Sequence, residues 1–326
     1  MRLGSLCSGI GGLELGVERA LGATTAWQAE IDPHASKVLV HRFPGVPNIG
    51  DVRDLSAMTP VDILTAGYPC QPFSTAGRRK GTDDPRHLWP AVHAAIAHLG
   101  PSLVVLENVR GHITLGFDRV LGDLADIGYD AEWRVVRASD VGCCHQRARL
   151  FVAAYPHGVA TGRDGATTPR PQGAGAQHSD RPRDGRGATA ADTDSTGLEG
   201  RATRRERGRE RPTGPGDLAD AADADVRRRI ARDQGQRRIP LADSERYGPY
   251  ADAVRCQEAW HGPAPEPTTD GRLNPAFVEW MMGYPAGWVT DVLDSRNAAL
   301  RCLGNAVVPQ VAEAFCLGLM DGQAAA

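Results

Sequence analysis

The sequence predicts an α/β protein with a doubly wound, mostly parallel sheet and a smaller irregular region. Short apolar runs alternate with segments of helical periodicity between residues 2 and 155, the pattern that βαβ units produce. Beyond that stretch the alternation stops, and no Phe, Trp, Tyr, Met or Cys occurs between His157 and Arg246. This middle segment can bury little apolar surface, so the sheet must come from the N-terminal half.

The elements follow in order along the chain. The predicted strands are residues 2–7, 25–29, 62–66, 103–106, 132–137 and 150–154, and a further strand is expected to end at Asp51. The predicted helices are residues 13–21, 34–42, 88–99 and 117–127, followed near the C-terminus by 276–282 and 307–320. Each of the first four helices lies between two predicted strands, which predicts parallel pairing with right-handed crossovers.

Composition limits the classes of protein that this chain can represent. With 326 residues and 41% hydrophobic residues, it can form one large domain and a smaller lobe. No stretch approaches the roughly 20 apolar residues of a membrane span, and the N-terminus lacks a signal-peptide pattern, so a cytoplasmic protein is expected. The seven cysteines include no CxxC pair, which argues against disulfides and a metal site.

The basic residues are strongly biased, since 35 of the 37 are arginine. Arginine forks match phosphate oxygens and guanine edges, so the bias suits DNA, although a GC-rich genome explains it equally well. Base-specific contacts are expected in residues 216–272, whereas 157–215 is open to two interpretations, a DNA contact or a solvated linker. We therefore divide the chain into 1–156, 157–272 and 273–326.

A glycine-rich turn follows the first predicted strand and opens the first helix. It contains Cys7, Ser8, Gly9, Gly11 and Gly12, a pattern that lets the backbone approach a nucleotide-like ligand. Glu14 stands where a dinucleotide-binding turn has its third glycine, so an NAD site fits poorly.

Two carboxylates complete the predicted nucleotide site. Glu30 ends the second strand and can accept ribose hydroxyls, while Asp51 is positioned to contact an adenine. Either acid alone is more simply a surface or turn residue. Together with the glycine turn they predict an adenosine ligand without a pyrophosphate, hence S-adenosylmethionine.

A cysteine and a glutamate follow two neighbouring strands. The segment Gly-Tyr-Pro-Cys-Gln-Pro-Phe-Ser (67–74) holds Cys70 between two prolines, which stiffen the loop and present the thiol. Glu107 follows the next strand, so both groups are expected at the carboxyl edge of one sheet. Arg147 and Arg149 can neutralise phosphate or favour the thiolate, or simply form a surface salt bridge.

These signatures, in this order, resemble those of DNA cytosine-5 methyltransferases. The resemblance covers about residues 1–156 and 272–320 and rests on 6–12, Glu30, Asp51, 68–71, 107–109, 147–149, 274–288 and 304–307. It implies a sheet of the S-adenosylmethionine-dependent methyltransferase type, a target-recognition region in the middle of the chain, and a C-terminal segment that returns to the catalytic domain.

The resemblance also implies roles for individual residues. Cys70 would add to C6 of an extruded cytosine, Glu107 would act at ring N3, and Arg147 and Arg149 would hold the nucleotide. Substrate contacts would come from Gln71, Ser74 and His145. Cofactor contacts would come from Cys7, Ser8, Gly9, Gly11, Gly12, Glu30, Ile31, Asp51, Val52, Asn305 and Val307.

Two residues depart from the family pattern. Cys7 stands where the family usually has a phenylalanine that stacks on adenine, and His145 stands where a glutamine is common. The expected partner is double-stranded DNA, bound by a monomer in the cytoplasm of a bacterial or phage-infected cell, and a cognate restriction endonuclease is compatible with this role.

Three alternatives remain open from the sequence. A tRNA cytosine-5 methyltransferase shares the fold, cofactor and nucleophile. A thiol-dependent NAD oxidoreductase is disfavoured by Glu14. A non-catalytic DNA-binding protein on an inactive methylase scaffold is disfavoured by the presence of both Cys70 and Glu107.

Overall fold

A computed structural model describes residues 1–69, 88–158 and 241–324, and their centre is a six-stranded sheet in the order β2-β1-β3-β4-β6-β5. The strands are β1 (Arg2–Leu6), β2 (Thr24–Ala29), β3 (Ile63–Ala66), β4 (Leu103–Val109), β5 (Tyr129–Val136) and β6 (Arg149–Pro156). Strands β2, β1, β3 and β4 pair in parallel, and β6 runs antiparallel to both β4 and β5. The prediction of a mostly parallel sheet is confirmed.

Helices cover both faces of this sheet, which makes it doubly wound. The helices are α1 (Gly12–Leu21), α2 (Pro33–Arg42), α3 (Trp89–Leu99), α4 (Phe117–Asp126), α5 (Leu241–Tyr247), α6 (Ala251–His261), α7 (Pro275–Met281), α8 (Arg296–Asn305) and α9 (Pro309–Ala324). One apolar cluster joins Leu3 and Phe151 to α1, α2, α8 and α9. A second joins Leu6 and Val152 to α3 and α4. A short hairpin, β7 (Thr268–Thr269) and β8 (Arg272–Leu273), precedes α7.

Two sequence predictions about strands were wrong in detail. Strand β4 does not end before Glu107 but continues to Val109, because β6 pairs with it and places Phe151 opposite Glu107. The strand expected to end at Asp51 is absent from the described residues, where one bridge between Gln28 and Asn48 stands in its place. Gly45 and Gly50 have φ of 84° and 83°, which a strand cannot accommodate.

The C-terminal residues contribute two core helices. By length and composition, Arg296–Met320 is the one stretch of the described chain able to cross a membrane. It comprises α8 and most of α9, and half of its most apolar window is buried inside the protein. Leu303, Val311 and Phe315 lie in the core beside α1, which is the usual setting of such a stretch in a helix-covered sheet.

Close packing of α9 against α1 depends on a glycine. A Cβ added to Gly16 would lie 2.5 Å from both the Pro309 carbonyl oxygen and the Ala312 Cβ. We expect Gly16→Ala to lower the free energy of unfolding by about 1–3 kcal/mol, because backbone must move to admit the methyl group. Chemical denaturation measures this change.

Gly122 provides the matched control for this substitution. It lies inside α4, and a Cβ there would meet no atom within 4 Å. Gly122→Ala should be neutral or stabilising by up to about 1 kcal/mol, as expected for an exposed helix position. Equal effects of the two substitutions would show that α1 and α9 are not in close contact.

Candidate active site

A left-handed turn carries the chain from β1 into α1. Cys7, Gly9 and Gly11 have φ of 53°, 58° and 86°. A Cβ on Gly11 would strike the Phe43 ring, and one on Gly12 would strike the Tyr284 hydroxyl and the Val307 carbonyl. Gly11 and Gly12 therefore allow the turn to pack closely against Phe43, Tyr284 and Val307, whereas Gly9 has open space beside it.

Glu30 closes this turn from the end of β2. Its Oε2 accepts a hydrogen bond from the Gly9 amide at 2.8 Å, and its Oε1 accepts one from the Asp32 amide at 2.8 Å. The side chain of Asn48 bonds both the amide and the carbonyl of Glu30 at 3.0 Å. Burial raises the pKa of Glu30. The carboxylate oxygens keep lone pairs for a ligand, and sequence reasoning did not identify Asn48 as their support.

The next part of the site combines an ionised acid with an apolar rim. Asp51 accepts from the Arg53 amide at 3.0 Å and pairs with its guanidinium at 3.2 Å. The Arg53 backbone N–H is the main cause of the lowered pKa of Asp51. Ile31 is 67% exposed although its side chain is apolar, and Val52 is buried. An aromatic ring bound here would cover the Ile31 side chain.

Glu107 is the buried acid of the site. It is 9% exposed, and its Oε1 lies 3.0 Å from Nε of Arg149. Burial raises the pKa of Glu107 from 4.5 to about 7, although Arg149 and Arg147 act in the opposite direction. A Cβ on Gly67 would lie 3.9 Å from Glu107 Oε2, so the segment after β3 runs beside this carboxyl group. Such an acid can hold or release a proton near neutral pH.

A buried network holds the segment that leads toward Cys70. Asn108 Nδ2 donates to the Tyr68 carbonyl at 3.0 Å. His112 Nδ1 lies 2.9 Å from the Leu115 carbonyl and must donate to it, so His112 Nε2 accepts from the Tyr68 hydroxyl at 3.1 Å. These side chains fix the backbone just before Pro69. Sequence reasoning missed Tyr68 and His112 as supports, since no local signal marks them.

Arg147 and His145 contact protein groups. Arg147 Nη2 donates to the carbonyls of Gly304 and Ala306 at 2.8 and 2.7 Å. His145 Nε2 lies 2.9 Å from the Met281 carbonyl, and burial lowers the pKa of its imidazole. Both side chains tie the loop before β6 to C-terminal segments.

A cavity of about 980 Å³ lies at the carboxyl edge of the sheet. The predicted site residues that line it are Cys7, Gly9, Glu30, Ile31, Asp51, Val52, Glu107, Arg149 and Asn305. The predicted site residues that do not line it are Ser8, Gly11, Gly12, His145, Arg147 and Val307. Cys70, Gln71 and Ser74 lie outside the described residues, but Pro69, the residue before Cys70, borders the cavity.

The charges around this cavity are internally paired. Within the described ranges, its three lining arginines each meet a carboxylate: Arg53 pairs with Asp51, Arg149 with Glu107, and Arg301 with Asp32 at 3.0 Å. This arrangement suits a ligand without a pyrophosphate better than a dinucleotide. Among the same residues, no group of three or more His, Cys, Asp or Glu side chains is placed to hold a metal ion.

Comparisons with known proteins agree with this architecture. Residues 1–317 match the family model of the C-5 cytosine-specific DNA methylases. The chain is 31% identical to Type II methyltransferase M.NaeI of Lentzea aerocolonigenes over 323 residues, which cover 95% of this chain and 72% of that protein. It is 36% identical to Type II methylase M.HgiEI of Herpetosiphon aurantiacus over 155 residues, 45% of this chain and only 35% of the relative.

A solved structure shows the same fold. The putative DNA modification methyltransferase encoded within a prophage of E. coli superimposes with a TM-score of 0.56 at 20% identity, covering 98% of this chain and 99% of that one. At that identity the likeness concerns the fold alone. The family match spans nearly the whole chain, and the chain therefore belongs to the C-5 cytosine-specific DNA methylase family.

Proposed function

We propose that this protein transfers a methyl group from S-adenosylmethionine to C5 of cytosine in a specific sequence of double-stranded DNA. The observation that carries the proposal is the position of Glu107. This buried acid, paired with Arg149, faces the same cavity as the glycine turn and Glu30. A proton donor and an adenosine site thus share one cleft, as transfer between a base and a nucleoside cofactor requires.

The lining residues fit the proposed cofactor. The free lone pairs of Glu30 match ribose hydroxyls, the ionised Asp51 matches an adenine amino group, and Ile31 supplies an apolar surface for the ring. Gly9 leaves open space beside the backbone, and Asn305 adds a side-chain amide to the cavity lining. When bound, S-adenosylmethionine supplies an electrophilic methyl group and leaves as S-adenosylhomocysteine.

The chemistry on the base uses residues of this chain. The Cys70 thiolate attacks C6, and the electron pair of the C5–C6 bond then makes C5 nucleophilic. Glu107 donates its proton toward N3, where negative charge develops, and Arg149 orients the carboxyl group. After C5 is methylated, its proton passes to water, the C6–sulfur bond breaks, and N3 returns its proton to Glu107, so the aromatic ring, the free thiolate and the protonated acid are restored. The base must leave the stacked duplex, which costs about a few kcal/mol in lost stacking and pairing.

The remaining assignments are part of the same proposal. Residues 157–272 would supply target recognition, and residues 1–156 and 273–326 the catalytic unit. Since curated relatives in the comparisons are named Type II methyltransferases, we propose a cognate endonuclease that cleaves the same unmethylated sequence.

The direct test is incubation of purified protein with tritiated cofactor and either unmethylated duplex DNA or tRNA. We expect label in DNA, and bisulfite sequencing should place it at cytosines of one short motif. Label in tRNA and none in DNA would show that the substrate is RNA and not DNA. Binding of NAD in place of S-adenosylmethionine, with no label in either nucleic acid, would refute the proposal.

Glu30 gives a test of the cofactor site. We expect Glu30→Ala to raise the Kd of S-adenosylhomocysteine about 10- to 100-fold, because it removes charge-assisted hydrogen bonds and frees the Gly9 amide. Isothermal titration calorimetry measures the change. Asp54→Ala is the matched control, since Asp54 bonds Ser56 and is not among the cavity-lining residues. Equal affinity of wild-type and Glu30→Ala protein would place the cofactor elsewhere.

A further inference from the structure

Gln257 is a buried amide in the middle of α6. It is 0% exposed, and its Oε1 accepts a hydrogen bond from the Cys144 amide at 2.8 Å. Its Nε2 donates to the carbonyls of Trp280 at 2.6 Å and Met281 at 3.2 Å, which uses both donors of the amide. One side chain thus joins α6, the end of α7 and the loop before β6.

The loop that Gln257 holds, residues 142–148, has a disfavoured backbone conformation. Arg147 has φ of 32°, a left-handed conformation that residues with side chains seldom adopt. Such a conformation persists only where its surroundings determine it. Trp260 of α6 donates to the Gly142 carbonyl at 3.3 Å, and His145 contacts the Met281 carbonyl. Helices α6 and α7 therefore restrain the loop, and Gln257 provides its most buried contact.

This loop carries Arg147 and leads directly into Arg149, the first residue of β6, which lines the cavity. Arg147 binds the carbonyls of Gly304 and Ala306, next to the cavity residue Asn305. Arg149 lies 3.0 Å from Glu107. A shift of the loop changes the distance between the Arg149 guanidinium and the Glu107 carboxyl group, and the alignment of reacting groups strongly affects rate.

We propose that Gln257 is a positioning residue for methyl transfer: it fixes loop 142–148, which leads into β6, and so aligns Arg149 with Glu107. The inference rests on the proposed function. It adds a connection from α6, which lies inside the segment proposed for target recognition, to the catalytic acid. Cofactor binding is proposed at Glu30 and Asp51, whose carboxylates accept from the amides of Gly9, Asp32 and Arg53, so it does not depend on this connection.

Gln257→Leu tests the inference, because it keeps a similar volume and removes all three hydrogen bonds. We expect the single-turnover rate constant at saturating DNA and cofactor to fall about 10- to 100-fold. The Kd of S-adenosylhomocysteine should stay within about twofold, because the change affects the transition state and not cofactor binding.

The pH profile separates positioning from a merely structural role. Arg149 lowers the pKa of Glu107, so a loosened pair should let that pKa rise and move the alkaline decline of the rate to higher pH. Asn274→Ala is the control: it removes the N-cap of α7, where Asn274 Oδ1 accepts from the Ala276 amide at 3.1 Å, without touching the loop. Asn274→Ala should lower the free energy of unfolding, and its rate should decline at the same alkaline pH as that of wild type.

Gln257→Glu tests the same positioning role if the Gln257→Leu protein does not fold. An ionised carboxylate still accepts from Cys144 but cannot donate to the two carbonyls, so the rate should fall with rising pH more steeply than in wild type and recover at low pH. An active wild type whose Gln257 variants keep its rate and profile overturns the inference alone. A wild type that methylates no nucleic acid overturns the proposed function instead.

Discussion

Replacing Cys70 with alanine is expected to reduce methyl transfer by at least about 1,000-fold, because the Cys70 thiolate is the group proposed to form the bond to C6. The other thiols that line the described part of the cavity, Cys7 and Cys302, have pKa values raised by burial to about 12 and about 11, so they stay protonated near neutral pH. The measurement is incorporation of tritiated methyl groups into duplex DNA. Cofactor affinity should be unchanged, since the residues proposed to hold the cofactor lie on the glycine turn and after β2.

Covalent trapping sharpens this test. DNA containing 5-fluorocytosine keeps fluorine at C5, where a proton must leave, so the sulfur–carbon adduct should persist as a complex that resists denaturation. We expect the complex with wild-type protein and none with Cys70→Ala. Cys256→Ala is the control, because that thiol lies on α6 and does not line the cavity. Trapping by Cys70→Ala would assign the nucleophile to another residue.

Glu107→Gln is expected to lower the rate constant about 100- to 10,000-fold while leaving cofactor affinity unchanged. Glutamine preserves the shape and can donate a hydrogen bond to N3, but it cannot transfer a proton. Single-turnover kinetics at saturating DNA measures the loss. A rate within a few-fold of wild type would restrict Glu107 to a structural ion pair with Arg149.

The pH dependence gives an independent reading of the same carboxyl group. Because burial raises the pKa of Glu107 to about 7, the protonated donor predominates below that pH, and the wild-type rate should decline as the pH rises through it. The Glu107→Gln variant has nothing to titrate there and should lose the decline. Glu279→Gln is the control: Glu279 is also buried but accepts from the amides of Gly287 and Thr290 and does not line the cavity, so the rate of this variant should decline with pH as in wild type.

The sheet could be predicted because its strands carry a local signal. Apolar runs alternating with helical segments indicated β1 to β4, and the shared carboxyl edge of parallel strands predicted that Cys70 and Glu107 would face one cleft. Cys70 lies outside the described residues, and Pro69 before it lines the same cavity as Glu107. The direction of β6 could not be predicted this way, since a buried strand has the same composition in either direction. The expected strand before Asp51 failed because two left-handed glycines break the ladder.

The supporting contacts of the site depend on distant residues, and no local pattern reports them. Arg147 was expected to hold the nucleotide, yet its guanidinium binds carbonyls 157 and 159 residues further along the chain. Gln257 meets Cys144 across 113 residues. Residue types identify which groups can do chemistry, whereas the choice of hydrogen-bond partner emerges only when remote segments pack together.

The packing of α1 against the C-terminal helices determines when, during synthesis of the chain, the cavity becomes complete. The Tyr284 hydroxyl donates to the Val307 carbonyl above Gly12, and Asn305 forms part of the cavity wall. A chain still emerging from the ribosome has all six main strands well before it has these residues, so its cleft lacks one wall until residues 284–307 have been made. We therefore expect the proposed methyl transfer to begin only after that stretch has folded, and fragments that end before Asn305 should be inert.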